Sequence, residues 1–151
     1  LSNMMRYVVT ETPNKLVTLA HEKVYIDNFI ALQKLRLDKD IILNYECKGN
    51  FNQRKITPFI LIPFIENAFK HGINPDGKSV IEISLDMVED SLNLIVENLK
   101  STSELSSFEK SGVGIENVKK RLQLLYDQQY ELKITDMPTY YKVELSILII
   151  Q

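Results

Sequence analysis

The chain has 151 residues, 44% hydrophobic and 25% charged, with a formal net charge of -2 and an isoelectric point near 5.7. That length suits one folded unit with a core of its own, and the acidic balance leaves no electrostatic footprint for nucleic acid. A single cysteine, Cys47, excludes an internal disulfide framework and suits a reducing compartment, and no apolar run reaches the length of a membrane-spanning helix.

Residues 1 to 18 are mixed, with Leu1, Met4, Met5, Tyr7 and Val8 apolar ahead of a turn at Thr12-Pro13-Asn14. Thr18 is placed to cap a helix over residues 20–37, where Val24, Ile26, Phe29, Ile30, Leu32, Leu35 and Leu37 recur at helical spacing. Residues 40–47 alternate with β-branched side chains and predict a strand, ended by Gly49-Asn50. Thr57-Pro58 reads as the N-cap and first turn of a second helix, with Gly72 as its C′ stop. Pro63 inside it is expected to kink the helix or leave its first turn irregular. After the Asn74-Pro75-Asp76-Gly77 loop, residues 80–88 and 92–98 predict a hairpin joined around Glu89-Asp90. Residues 99–111 are rich in Ser, Thr, Lys and Glu and read as a mobile loop. A third helix is predicted over 114–126, with Ile115, Val118, Leu122 and Leu125 inward. Strands over 130–136 and 140–150 then turn around Met137-Pro138-Thr139. This order predicts an α/β (α+β) two-layer sandwich, a mixed sheet of about five strands with three helices on one face.

Two short stretches carry the chemistry. In Ile-Glu-Asn-Ala-Phe-Lys-His-Gly, residues 65–72, a helix puts Asn67, Lys70 and His71 at i, i+3 and i+4, on one face. That face offers an amide oxygen, an ammonium and an imidazole, while Leu61, Phe64, Ile65 and Ala68 turn to another. An amide oxygen suits Mg²⁺, which is held by few protein groups together with phosphate oxygens, and Lys70 offsets phosphate charge as a point cation. In Ser-Gly-Val-Gly-Ile-Glu-Asn-Val, residues 111–118, Gly112 and Gly114 precede an amphipathic stretch and leave bare backbone N–H groups at a helix N-terminus for anions. The two halves together describe a Mg-nucleotide site.

These stretches resemble the N box and G2 box of the GHKL ATPase superfamily, which includes histidine kinases, gyrase-type topoisomerases and Hsp90-type chaperones. Pro58, Pro63, residues 66–72, residues 112–122 and Leu125-Tyr126 resemble, more closely, the characteristic text of LytS/YehU-type sensor histidine kinases. Residues 1–7 and 25–36 resemble their linker and first helix, so the likeness covers nearly the whole chain. It implies the GHKL fold over residues 19–151, with residues 1–18 the tail of a dimerisation and phosphoacceptor segment. It further implies ATP and Mg²⁺ as ligands, with Asn67 holding the metal between phosphates and Lys70 contacting phosphate. His71 would line the same pocket, and the Gly112 and Gly114 backbone would approach the triphosphate. Asn117 would touch a phosphate or cap a lid, and Arg121 is open between packing and function. The implied partners are a phosphoacceptor helix of the same or a second protomer, a response regulator, and a second copy in the full-length protein. The implied place is the cytoplasm, in a parent anchored in the cell membrane.

The chain departs from the pattern in three places. The family's G1 box, Asp-x-Gly-x-Gly, aligns its adenine-reading Asp with Asn98, whose amide oxygen still accepts but without charge. Leu99, Lys100, Ser101 and Thr102 replace the glycine-bearing remainder, which implies a stiffer or differently built lid; Glu97 lies on the opposite strand face. The glutamate that activates water in hydrolysing GHKL proteins is replaced by Pro63, so the resemblance implies phosphotransfer and not hydrolysis. The phosphoacceptor text is absent, and the only histidines are His21 and His71. With Leu1 in place of Met at the start, the chain reads as the ATP-binding half of a longer kinase. A degenerate GHKL domain, binding nucleotide weakly and serving as a dimerisation or signalling module, is the alternative. A serine/threonine-directed anti-sigma-factor kinase shares the fold, but the Arg6-Tyr7 and residue 25–36 text speaks against it.

Overall fold

The computed structural model describes residues 15–37, 41–74, 78–100 and 112–149. A short strand β1 (Val17–Thr18) leads into helix α1 (Leu19–Arg36), followed by β2 (Ile41–Lys48), the two-residue β3 (Lys55–Ile56) and helix α2 (Ile62–His71). Strands β4 (Ser79–Val88) and β5 (Ser91–Leu99), helix α3 (Gly112–Tyr126), and strands β6 (Tyr130–Asp136) and β7 (Tyr140–Leu148) complete the order. The five long strands form one mixed sheet in the order β2-β4-β5-β7-β6, and β1 pairs with β3 in a separate two-stranded sheet. Within this sheet only β2 and β4 run parallel, because the connection between them crosses over through α2; short turns join the antiparallel pairs β4–β5 and β6–β7, and β7 returns antiparallel to β5 after α3 and β6. Val17 and Thr18, at the end of the stretch read as linker, pair with Ile56 and Lys55.

Alternation selects the buried face. Ile81, Ile83, Leu85 and Met87 of β4, Leu92, Leu94 and Val96 of β5, and Val143, Leu145 and Ile147 of β7 are buried and point to the helix layer. Their neighbours Glu82, Glu97, Lys142 and Glu144 lie on the other face, paired across the ladders. Against the sheet, α2 buries Ile62, Phe64, Ile65, Ala68, Phe69 and His71, and α3 buries Ile115, Val118 and Leu122. Each large side chain removed from water contributes roughly 1.5–3 kcal/mol, so the α2 face is a principal anchor of the layer.

Helix α1 begins where predicted, with Thr18 Oγ1 accepting the His21 N–H at 3.1 Å. Only some of the apolar residues at helical spacing face the core. Val24, Leu32 and Leu35 are exposed, whereas Leu19, Glu22, Ile26 and Ile30 are buried. Apolar residues surround this helix on several sides, so spacing alone does not choose a face; Tyr25 and Phe29 choose it by packing edge-on against Phe59 and Phe69.

The start of α2 is a correction. It begins at Ile62 without a side-chain cap, not at Thr57-Pro58. Pro63 therefore falls in the first turn, where its missing N–H removes no helical bond, and the first turn is closed by the Phe64 N–H on Leu61 O at 3.2 Å. Gly72 ends the helix with φ -95°, outside the left-handed region expected of a C′ glycine. Its reason is space. A Cβ there would lie 2.6 Å from Ala68 O and 2.8 Å from Asn98 Cβ.

Candidate functional site

Helix α2 brings Asn67 and Lys70 to the surface and takes His71 below it. Asn67 is half-buried and Lys70 is exposed, but His71 is only 7% exposed. The helical wheel explains the split, since His71 follows Phe64 by two turns and shares its core-facing side. Lys70 and His71 also lie in the last turn, where a positive charge is favoured by the helix dipole. Glu66, beside Asn67, is half-buried; burial pushes its carboxyl above the usual range, with the Lys70 charge pulling it back.

The end of α2 abuts the end of β5. Asn98 is 1% exposed, on the inner face between Ile81 of β4 and Tyr141 of β7, and its Nδ2 donates to Leu99 O at 3.1 Å. The close approach at Gly72 sets the last turn of α2 directly on the Asn98 side chain. Glu97 points to the opposite face, as alternation requires. Leu99 continues the strand, and Lys100 donates its N–H to Thr139 O at 2.9 Å and its ammonium to Asp136. The loop expected from residue 99 thus begins after an anchored pair, and its residues 101–111 lie outside the described ones.

Helix α3 supplies the remaining expected groups at its N-terminal end. It starts at Gly112; Gly114 and Asn117 are exposed, and a Cβ added at Gly114 would meet no atom within 4 Å. Among the described residues nothing fills the space a side chain at Gly114 would take, and the first N–H groups of the helix have no intrahelical acceptor. α2 packs on α3 as well as on β4 and β5. The fold thus places Asn67 and Lys70 five and two residues before Gly72, sets Gly72 against the buried amide of Asn98, and packs the helix that begins at Gly112 on α2. Among the described residues no group of three or more His, Cys, Asp or Glu side chains forms a protein-only metal cage. This donor set fits a cation shared with phosphate oxygens. A polar cavity of about 520 Å³ lined by Asn50, Asn52, Gln53, Arg54, Met87, Glu89 and Asp90 lies at the hairpin turn, roughly 25 Å along β5 from Asn98.

No family model matches the chain. Over 146 residues it is 26% identical to an uncharacterized sensor-like histidine kinase of Staphylococcus epidermidis, covering 89% of this chain and 28% of that protein. Over 96 residues it is 34% identical to the sensor protein kinase HptS of Staphylococcus aureus, covering 64% of this chain and 18% of that one. The chain therefore spans less than a third of the length of these relatives. Among solved structures, the histidine kinase domain of the blue-light activated kinase of Erythrobacter litoralis superposes with a TM-score of 0.61 at 15% identity, covering 85% of this chain and 61% of that one. The histidine kinase AdeS of Acinetobacter baumannii gives 0.60 at 14% identity, covering 100% and 78%. The catalytic domain of histidine kinase ThkA gives 0.55 at 14% identity, covering 89% and 94%. The fold is that of a histidine-kinase catalytic domain, the GHKL sandwich.

Within this kinase-domain fold, three side chains hold the frame of the candidate site in contacts that sequence reasoning did not assign. Glu22 Oε1 accepts the Phe59 N–H at 3.0 Å, Arg121 donates to Phe59 O and Pro58 O at 3.0 and 2.7 Å, and the Tyr126 hydroxyl accepts the Thr57 N–H at 2.9 Å. Arg121, left open by the sequence, is thus engaged with backbone. The signal for Arg121 and Tyr126 was their place in the motif text; Glu22 gave none, since a glutamate in the first turn reads as a solvated residue.

Proposed function

We propose that this chain is the ATP-binding catalytic domain of a two-component sensor histidine kinase of the LytS/YehU type. It holds Mg-ATP and passes the γ-phosphoryl group to a histidine on another segment. The observation that carries this reading is the arrangement at the end of α2, where Asn67 and Lys70 lie five and two residues before Gly72 and Gly72 presses on Asn98. Asn67 would hold the metal, Lys70 would offset charge on the phosphates, and Asn98 would accept from the adenine amino group. Backbone N–H groups at Gly112 and Gly114 would face the triphosphate, with Asn117 in the next turn. Mg²⁺, when bound, supplies neutralisation of phosphate charge, the term on which phosphoryl transfer chiefly depends.

In the transfer, the imidazole nitrogen of the accepting histidine forms a bond to the γ-phosphorus. The bond from that phosphorus to the bridging oxygen breaks, and ADP leaves with the electron pair. His71 is buried in the core and His21, in the first turn of α1, lies outside both motif stretches, so the acceptor is assigned to another segment. With Pro63 one turn before Asn67, no side chain there takes a proton from water, which favours transfer over hydrolysis. The partners on this reading are a phosphoacceptor helix from the same or a second protomer and a response regulator. The full-length parent would be a membrane-anchored dimer with this domain in the cytoplasm.

One observation favours a second reading, a degenerate domain that signals by contact. Leu99 and Lys100 are fixed in strand and ladder where the family pattern has a glycine-bearing turn. A titration with Mg-ATP analogue separates the two. The catalytic reading predicts binding that weakens about tenfold or more when the metal is chelated, and Asn67→Ala erases that difference while leaving the circular dichroism unchanged. Equal binding with and without metal in both proteins contradicts the role of Asn67, and no binding at all favours the signalling module.

A further inference from the structure

A clamp, buried at Glu22 and half-buried at Arg121 and Tyr126, joins α1 and α3 across the segment that leads into α2. Glu22 of α1 is 3% exposed and accepts the Phe59 N–H, while the Arg121 guanidinium of α3 spans the carbonyls of Pro58 and Phe59. Just over one turn later Tyr126 accepts the Thr57 N–H. Phe59 sits between these partners at φ 58°, a conformation that a bulky residue holds only where its surroundings over-determine it. Residues 57–59 therefore have their backbone direction dictated by side chains from two helices.

The place of this clamp matters more than its strength. Ile62, three residues after Phe59, opens the helix that carries Asn67 and Lys70. Along α3, Arg121 is roughly 10 Å from Gly114 at the open N-terminal end. A planar guanidinium on two successive carbonyls fixes both the distance and the roll of α3 against that lead-in, which a single ammonium does not do. Asn98, by contrast, is set by the β4–β5–β7 ladder, whereas the Arg121 guanidinium donates to the Pro58 and Phe59 carbonyls.

We infer that Arg121 is a positioning residue for the phosphate end of the nucleotide site, holding the N-terminus of α3 in register with the Asn67 face of α2 through the Pro58 and Phe59 carbonyls, with Glu22 as the opposing arm. The inference rests on the nucleotide-binding reading above. Arg121 itself touches no ligand. Its loss loosens the grip on phosphates and leaves the adenine end in place.

Two ligands therefore test it, Mg-ATP analogue by calorimetry and adenosine by NMR titration, at temperatures where each protein is folded by circular dichroism. Arg121→Met is expected to weaken the Mg-ATP analogue about tenfold and to leave adenosine within about twofold of wild type. Arg121→Lys falls between, because it keeps the charge and loses the fork; if Arg121→Met does not fold, Arg121→Lys decides by the same split. Unchanged affinity for both ligands in a folded variant overturns the proposal. Equal weakening of both ligands also overturns it, since that is what a merely structural role produces. Wild-type protein that binds neither ligand overturns the nucleotide reading, and the proposal with it, without reference to any variant.

Discussion

Glu22 shows how far a single side chain departs from its sequence neighbourhood. It lies among residues that read as a solvated first turn, yet burial pushes its carboxyl from its ordinary 4.5 to about 7, against the pull of the Phe59 N–H and the Arg121 charge. The other titratable groups nearby are Tyr25 on its own helix, with Glu66 of α2 beside that ring and Tyr126 beside Arg121. A carboxyl whose folded value is raised binds its proton more tightly in the folded chain. Its contribution is therefore fully present below about 4.5 and is lost as pH rises through about 7. A shift of this size corresponds to on the order of 3 kcal/mol. Thermal unfolding of wild type should show stability falling between about pH 4.5 and 7, and Glu22→Gln should flatten that slope; an unchanged slope in the variant contradicts the assignment. Gly72 makes the complementary point about space. Gly72→Ala must displace Ala68 O or Asn98, and is expected to lower stability by about 1–3 kcal/mol in denaturant titration. A neutral Gly72→Ala would show that α2 does not press on β5 as described.

Elements were legible where one period dominates. Residues 80–88 and 92–98 alternate cleanly, and the hairpin appears with its two-residue connection at Glu89-Asp90, where Glu89 takes φ 55°. α3 was legible from Ile115, Val118 and Leu122. α1 was legible in extent and not in facing, because Val24, Leu32 and Leu35 compete with Ile26 and Ile30 and only the aromatic contacts with the α2 region decide between them. The start of α2 was misplaced because Thr57-Pro58 carries the local signature of a cap. The Thr57 N–H is instead taken by Tyr126, 69 residues away, a partner no local pattern contains. The corrected start leads to a prediction for Pro63. Since its position has no helical N–H to lose, Pro63→Ala should change stability by less than about 1 kcal/mol. A gain of more than 2 kcal/mol would restore the kinked interior proline that the sequence suggested.

At the scale of the whole molecule, the sandwich follows from element order, and the convergence of α2, β5 and the α3 N-terminus follows from the sandwich. Asn67, Lys70, Asn98, Gly112 and Gly114 are each picked out by a local pattern in the sequence, and their role in holding nucleotide is the proposal made above. What was not legible is the frame that registers them, because Glu22, residues 57–59 and Arg121 meet only through tertiary packing. The central claim is that this frame presents ATP to a histidine carried elsewhere. Its most direct test incubates the chain with γ-labelled Mg-ATP, alone and with a separately supplied histidine-bearing phosphoacceptor segment. The account predicts acid-labile label on that segment only, none on the chain by itself, and loss of transfer in Lys70→Ala. Label appearing on the isolated chain, or no label on the segment despite measurable binding of Mg-ATP, would contradict it.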